Sequence, residues 1–401
     1  MVLKNNSLKE VLLIGWVLIL FTQVLRIDYK IIYFPIFIAL LSVNIYLILI
    51  KGTIFKANTF LKLHLWIFFI LIFYICGISF FYGNLNDLLK ALPRMLIMPL
   101  TFIIFYNYLF KKKQYYKIIK IYYFFATIAA ISIIYQIYFG PLEFLVSSST
   151  RQGLERFAST AGSLTVFGAA VGIFLILTIL LNINIVMKIF LFSLFFIAGL
   201  ICLSKAGLMN VVIAIIFFII ISNYKLKNKI LFLIGFILLS ISAYFVSFNL
   251  QEYIDASLQG INILSDEHSS LRGQTSFRLL GAFTRLASDS IYTTFFGFGV
   301  LGGQGAFGLP ASVSGTTHNQ FGDLFQIGGI FLFLNVVSII FCVMIELYKI
   351  KNKDNLAKIF FYCNLLAIIN MFFFNGYLYQ PMTSIMLWLS LIYVIQNVQE
   401  Q

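Results

Sequence analysis

The sequence predicts an all-α polytopic membrane protein, a helical bundle of about twelve transmembrane spans with a large late extracytoplasmic loop that contains an amphipathic helix. Three observations predict it. Hydrophobic residues make up 61% of the 401 and charged residues only 10%, against roughly 25% charged in a soluble domain. Mean hydropathy is +0.98. The apolar residues gather into runs near the length a helix needs to cross a bilayer, roughly 20 residues.

The runs fall at Val11–Leu25, Ile31–Ile50, Leu63–Phe81, Met95–Phe110, Ile118–Tyr138, Leu164–Ile183, Ile189–Leu203, Ala206–Ser222, Ile230–Phe248, Phe321–Ile345, Ile359–Phe374 and Thr383–Ile395. The first has no small-residue cleavage site after it and is expected to stay as a span. The seventh and eighth are nearly fused at Ser204-Lys205-Ala206-Gly207, which predicts a tight hairpin at one membrane face. The chain is expected to form a single integral membrane domain over residues 1–401.

The net charge of +14 does not form a basic face of the kind nucleic acid requires. The lysines cluster at Lys51/Lys56/Lys62, Lys111–Lys113/Lys117/Lys120, Lys225/Lys227/Lys229 and Lys349/Lys351/Lys353/Lys358, in alternating loops. By the positive-inside rule those loops and both termini face the cytoplasm. The opposite face then carries two long loops, 139–163 and 249–320. The four cysteines lie inside apolar runs and read as small buried hydrophobes. Three scattered histidines do not make a metal site.

One asymmetry goes beyond topology. All seven arginines, Arg26, Arg94, Arg151, Arg156, Arg272, Arg278 and Arg285, lie on or near the outer side, while the cytoplasmic clusters are all lysine. Arginine offers a planar, permanently charged fork suited to phosphate. The simpler alternative pairs these arginines with Glu143, Glu155, Asp255, Asp266 and Glu267.

The outer loops supply the chemistry. Thr275–Thr293 reads as an amphipathic helix. Arg278 and Arg285 are seven apart on one face, beside an apolar stripe of Leu279, Phe283 and Leu286. Such a helix either anchors to headgroups or holds an anionic, lipid-linked substrate. Gly297, Gly299 and Gly302 form a formal G-x-G-x-x-G, but no βαβ unit surrounds it. These glycines are expected instead to let backbone turn or re-enter beside a cavity. His318 follows in Thr316-Thr317-His318-Asn319-Gln320, where the loop meets the membrane, and histidine exchanges a proton near neutral pH. In the earlier loop Arg151 and Glu155 are four apart, a spacing that pairs on a helix. Lys205 adds a cation at membrane depth, where an ionisable group either snorkels to the interface or serves function.

Ser276-Phe277-Arg278, Phe296-Gly297-Phe298-Gly299 and His318-Asn319 before a glycine-bearing span resemble the O-antigen ligase/polymerase superfamily. Arg151-Gln152-Gly153 through Arg156-Phe157 looks like that family's first arginine-bearing outer loop. Leu203-Ser204-Lys205-Ala206-Gly207 looks like its Ser-Arg-Gly hairpin, with lysine in place of arginine. The resemblance runs from about Arg151 to Gly329.

It implies a metal-independent, inverting glycosyltransferase in the cytoplasmic membrane, acting on its outer face, without a cofactor. The donor would be a glycan on undecaprenyl pyrophosphate. The acceptor would be another lipid-linked repeat unit in a polymerase of O-antigen or capsule, or the lipid A core in a ligase. Arg278, Arg285, Arg151, Arg156 and Lys205 would hold the pyrophosphate. His318 would assist acceptor deprotonation, with Asn319 positioning the hydroxyl and Glu155 or Asp289 as fallback bases. A chain-length regulator and a flippase are the implied protein partners, alongside membrane lipids. A flippase or transporter is the rival reading. It would require internal repeats and broken helices with charge near mid-membrane, whereas the ionisable groups of this sequence read as lying near the membrane faces. A non-catalytic scaffold would not need arginines gathered on one side.

Overall fold

The computed structural model describes residues 2–22, 30–51, 59–82, 85–109, 111–143, 145, 149–151, 154–162, 166–221, 226–246, 248–262, 290–297, 299, 320–372, 374 and 377–397. Among them are fourteen helices and one two-stranded hairpin. The helices are α1 (Val2–Phe21), α2 (Lys30–Lys51), α3 (Thr59–Tyr82), α4 (Leu85–Tyr108), α5 (Lys112–Phe139), α6 (Val166–Leu180), α7 (Ile185–Ile201), α8 (Lys205–Ile221), α9 (Leu226–Val246), α10 (Phe248–Asn262), α11 (Ile291–Phe296), α12 (Gln320–Ile350), α13 (Asn355–Met371) and α14 (Pro381–Asn397). The hairpin pairs β1 (Ser149–Arg151) with β2 (Leu154–Arg156).

Each of the twelve apolar runs contains a described helix. Three helices are long and apolar enough to cross a membrane: Phe60–Ser79, Lys112–Phe139 and Gln320–Ile350. Eight shorter apolar stretches accompany them among the described residues. The chain is therefore an all-α helical protein with membrane-grade helices, and the count of twelve crossings is not set by helix length.

The chain forms two compact units from interleaved segments. The first comprises Met1–Lys51, Tyr108–Asp266 and Pro381–Thr383; the second comprises Gly52–Asn107, Glu267–Gln380 and Ser384–Gln401.

In the first unit α6 is the core. Every residue from Val166 to Ile179 is buried, as expected of a helix apolar on all sides. It packs against α8, and α7 covers another side. The Tyr123 and Thr178 hydroxyls meet at 2.6 Å, and Asn210 donates to the Gly168 carbonyl at 2.8 Å. These bonds satisfy polar groups that would be costly to leave unpaired away from water. The amphipathic helix α10 buries Leu250, Tyr253, Ile254 and Ala256 while Glu252 faces out. It occupies the start of the segment expected to be an open loop.

In the second unit α12 packs against α3, α11 and α13. Asn335 donates to the His64 carbonyl at 3.1 Å and approaches its Nδ1 at 3.2 Å. His64 thus ties α3 to α12. The helix α12 is broken at Gly329, whose φ of 65° and ψ of −162° lie in a region open essentially to glycine alone.

Candidate functional site

Three places bring together the residues on which a site can be built. The first is the hairpin. Its register pairs Ser149 with Arg156, Thr150 with Glu155 and Arg151 with Leu154. Side-chain positions alternate along a strand. Positions 151, 154 and 156 therefore share one face, and Glu155 takes the other. Arg151 and Arg156 stand in the diagonal cross-strand relation, about 7–8 Å apart. The helical spacing expected of Arg151 and Glu155 is not realised, because Ser149–Arg151 and Leu154–Arg156 are paired strands. Arg156 is half-buried.

The hairpin is anchored on two sides. Tyr253 of α10 donates to the Glu155 carbonyl at 2.6 Å, and its ring stacks on Phe157 with centroids 6.4 Å apart. Gln136, near the end of α5, donates to the Ala158 carbonyl at 2.8 Å and accepts from the Leu142 N–H at 3.1 Å. Burial, followed by the nearby Glu155 and Glu252 carboxylates, pushes the Tyr253 phenol up to about 12. It therefore stays a neutral donor over the physiological range.

The second place is the turn between α7 and α8, the tight hairpin expected from sequence. Leu203 has a positive φ of 49°. Ser204 caps α8 by accepting from the Gly207 N–H at 2.9 Å. Cys202 donates to the Gly199 carbonyl at 3.0 Å. Lys205 is the first residue of α8. Gly168 of α6 is required here, since a Cβ on it would lie 2.0 Å from Ser204 Oγ.

The third place is the break in α12. The helix α11 is capped at its start by Ser290, whose side chain accepts from Thr293 N, and closes at Gly297. Ser290 is extended, with φ of −159° and ψ of 161°. The amphipathic helix expected over Thr275–Thr293 therefore does not run through to Thr293; a new helix starts at Ile291. Gly297 and Gly299 both have positive φ, 72° and 83°. The Gly299 N–H donates to the Ile327 carbonyl at 3.0 Å, a group that an unbroken α12 would have bonded internally. Two of the G-x-G-x-x-G glycines thus serve backbone packing against a broken helix, as expected of re-entrant glycines and unlike a dinucleotide loop. Gly302 lies outside the described residues.

The half-helix before the break, Gln320–Gly328, carries Gln320, Asp323 and Gln326 at successive three-residue steps, exposed by 0%, 5% and 0%. Gln320 accepts from the Leu378 N–H at 3.0 Å through Oε1. The Tyr379 hydroxyl is buried beside the Gln320 amide and the Asp323 carboxylate. Burial and that carboxylate hold the phenol well above its ordinary range. Both amide atoms of Gln326 are buried without a hydrogen-bond partner. An apolar cavity beside this cluster runs from Leu324 and Tyr379 along α12 to Val343, with Leu65 and Phe68 of α3 and Trp388 of α14 on its walls.

Of the residues singled out from sequence, the structure brings Arg151 and Arg156 onto one hairpin face and sets Lys205 at the α8 start. Arg278, Arg285, His318, Asn319 and Asp289 lie outside the described residues. Sequence reasoning missed the Asp323 cluster. The signal was present, because three polar residues at helical spacing interrupt an apolar run just before Gly328-Gly329. Among the described residues no group of three or more His, Cys, Asp or Glu could hold a metal ion. Comparison of the chain with protein-family models, curated proteins and solved structures finds no match.

Proposed function

We propose that the chain is a membrane glycosyltransferase that polymerises lipid-linked oligosaccharide repeat units for O-antigen or capsule. The observation that carries this reading is the shared face of Arg151 and Arg156 on an anchored outer-loop hairpin, with Glu155 on the opposite face. Two arginine positions on paired strands, with backbones about 7–8 Å apart, can each reach one diphosphate. Charge-assisted, bidentate hydrogen bonds from arginine suit that group. Lys205, Arg278 and Arg285 would complete the clamp.

In this mechanism the acceptor sugar hydroxyl attacks the anomeric carbon of the donor from the face opposite the pyrophosphate. The carbon–oxygen bond to pyrophosphate breaks, and its electron pair leaves with undecaprenyl pyrophosphate. His318 takes the hydroxyl proton, and Asn319 orients that hydroxyl. The arginines stabilise the charge that grows on the departing oxygen. A ligase acting on the lipid A core would use the same chemistry with a different acceptor.

The test uses purified protein and a synthetic undecaprenyl-pyrophosphate oligosaccharide in EDTA, with products sized on a gel. The wild type makes a ladder. Arg156→Ala and Arg278→Ala lose it by at least about tenfold, the loss expected when one charge-assisted contact is removed. Absence of a ladder in the wild type overturns the reading.

A second reading is favoured by one observation. A helix broken at Gly329, with Asp323 buried on its shorter half, is a pattern found where transporters build substrate and ion sites. Movement of intact lipid-linked oligosaccharide across vesicles, without new glycosidic bonds, would establish that activity instead.

A further inference from the structure

Beyond the break at Gly329 the helix α12 presents one exposed apolar stripe. Phe331, Leu334, Phe341, Ile345 and Tyr348 are exposed by 39% to 64%. Their sequence spacing keeps them on one side of a helix. Leu332, Val336, Ile339, Val343 and Leu347 are buried on the other. From Phe331 to Tyr348 the stripe runs about 26 Å, nearly from one boundary of a bilayer's apolar interior to the other. Lys351 stands at its end. The Lys351 N–H bonds to the Leu347 carbonyl at 2.9 Å, so this residue continues the helical course one turn past Tyr348.

The Lys351 ammonium lies 4.1 Å from the ring centroids of both Tyr348 and Phe361, and 5.8 Å from that of Tyr362. Cation–π attraction holds it there. A lysine set among aromatic rings at the end of a lipid-facing stripe is the pattern of a membrane boundary. Between Glu346 and Lys358 four lysines stand against two carboxylates, so positive charge is in excess. Glu346 pairs with Lys349 at 2.7 Å. Asp354 caps α13 by accepting from the Leu356 N–H at 3.1 Å, and it also accepts from the Tyr393 hydroxyl. Among the described residues neither Lys351 nor Lys353 has an ion-pair partner, and Lys353 is exposed in the turn. We propose that the turn between α12 and α13 binds the phosphate of an anionic phospholipid, with Lys351 and Lys353 as its cations and the α12 stripe against the acyl chains. The phosphate supplies the negative charge that the segment lacks, and each lysine near an anionic surface contributes about 1 kcal/mol. A soluble phosphate would leave the stripe uncovered, and a zwitterionic lipid would leave the excess charge unmatched. The site depends on neither reading of the outer loops.

The test follows amide hydrogen exchange of segment 346–358 in the full chain, held in neutral detergent. Dioleoyl-phosphatidylglycerol, dioleoyl-phosphatidylcholine or soluble glycerol 3-phosphate is titrated in. Phosphatidylglycerol slows exchange of the segment, the other two do not, and added salt weakens the response. Lys351→Gln combined with Lys353→Gln needs at least about tenfold more phosphatidylglycerol for the same slowing, the scale of two surface cations. Lys353→Gln alone, at an exposed position that folding does not need, costs about fivefold and keeps the test decisive if the double variant does not fold. Glu346→Gln combined with Lys349→Gln removes an ion pair at constant net charge and retains the wild-type response. Equal slowing by the two lipids overturns the proposal, and so does a response to phosphatidylglycerol that both lysine variants keep. Slowing by glycerol 3-phosphate to the same extent overturns the assignment to a lipid. A chain that makes no polysaccharide ladder yet prefers the anionic lipid retains this site and loses only the polymerase reading.

Discussion

The turn between α7 and α8 and the break in α12 use the same device with opposite outcomes. Each brings backbone close to backbone through glycines. At the first, Gly168 and Gly207 let Ser204, Cys202 and the Gly199 carbonyl meet, and the donors there find acceptors while Asn210 Oδ1 stays without a partner. Ser204 accepts from Gly207 N, Cys202 donates to the Gly199 carbonyl, and Asn210 reaches the Gly168 carbonyl. At the second, Gly297, Gly299 and Gly329 let α11 press on α12, and Gln326 nearby is left with both amide atoms unmatched. A close approach that satisfies its own polar groups is architecture. At Gln326 neither the donor nor the acceptor of a buried amide is paired, which sets the second approach apart.

The largest effect that would sharpen this comparison is at Gly329. A Cβ there would lie 2.2 Å from the Phe295 carbonyl carbon, with φ at 65°. Backbone cannot give way as a side chain can, and the conformation is strained for any other residue. Gly329→Ala should cost about 3 kcal/mol or more, read as a lowered unfolding midpoint in detergent. A wild-type midpoint would mean that the contact between α11 and the break is not needed.

Gly168→Ala should cost somewhat less, about 1–3 kcal/mol, because the group it meets at 2.0 Å is a side-chain hydroxyl. Ser204→Ala in the same chain should return part of that loss, since the two sites share one contact. Additive losses would break the claim that this turn is held by a steric lock.

The smallest effect concerns the hairpin, where polar matching again decides. Tyr253→Phe removes one hydrogen bond to the Glu155 carbonyl, worth about 1 kcal/mol. The phenol is raised from about 10 to about 12 in the folded chain. Its contribution is therefore full below pH 10 and lost as pH rises towards 12. Wild-type stability should fall over that window, and the variant should lack that part of the fall. Equal alkaline profiles would show that Tyr253 does not anchor the hairpin.

Much of the fold was legible because apolar runs of near-spanning length have few alternatives to helix. Even the α7–α8 turn announced itself, through Ser204, Lys205 and Gly207 between two such runs. The hairpin was less legible. Arg151 and Glu155 fit helical spacing, and only the intervening Gln152-Gly153 hinted at a turn. The helix α10 was hidden because Gln251, Glu252 and Asp255 make it too polar to read as a span. The break at Gly329 was overlooked for a different reason. Flanking residues such as Leu324, Phe325, Ile327 and Phe331 keep the run apolar on average, so composition masked both the paired glycines and Asp323. Arg278, Arg285, His318, Asn319 and Asp289 fall outside the described residues, so of the proposed site the structure describes the positions of Arg151, Arg156 and Lys205.

The interruption at Gly329 also redraws where the second unit meets the bilayer. From Gln320 to Gly328 the helix measures about 13 Å at 1.5 Å per residue, less than half the thickness of a hydrocarbon core. From Ile330 to Ile350 it measures about 31 Å, enough to cross alone. The shorter piece is thus too short to cross alone, and a crossing helix would begin at Ile330, two to three turns after the start of the apolar run.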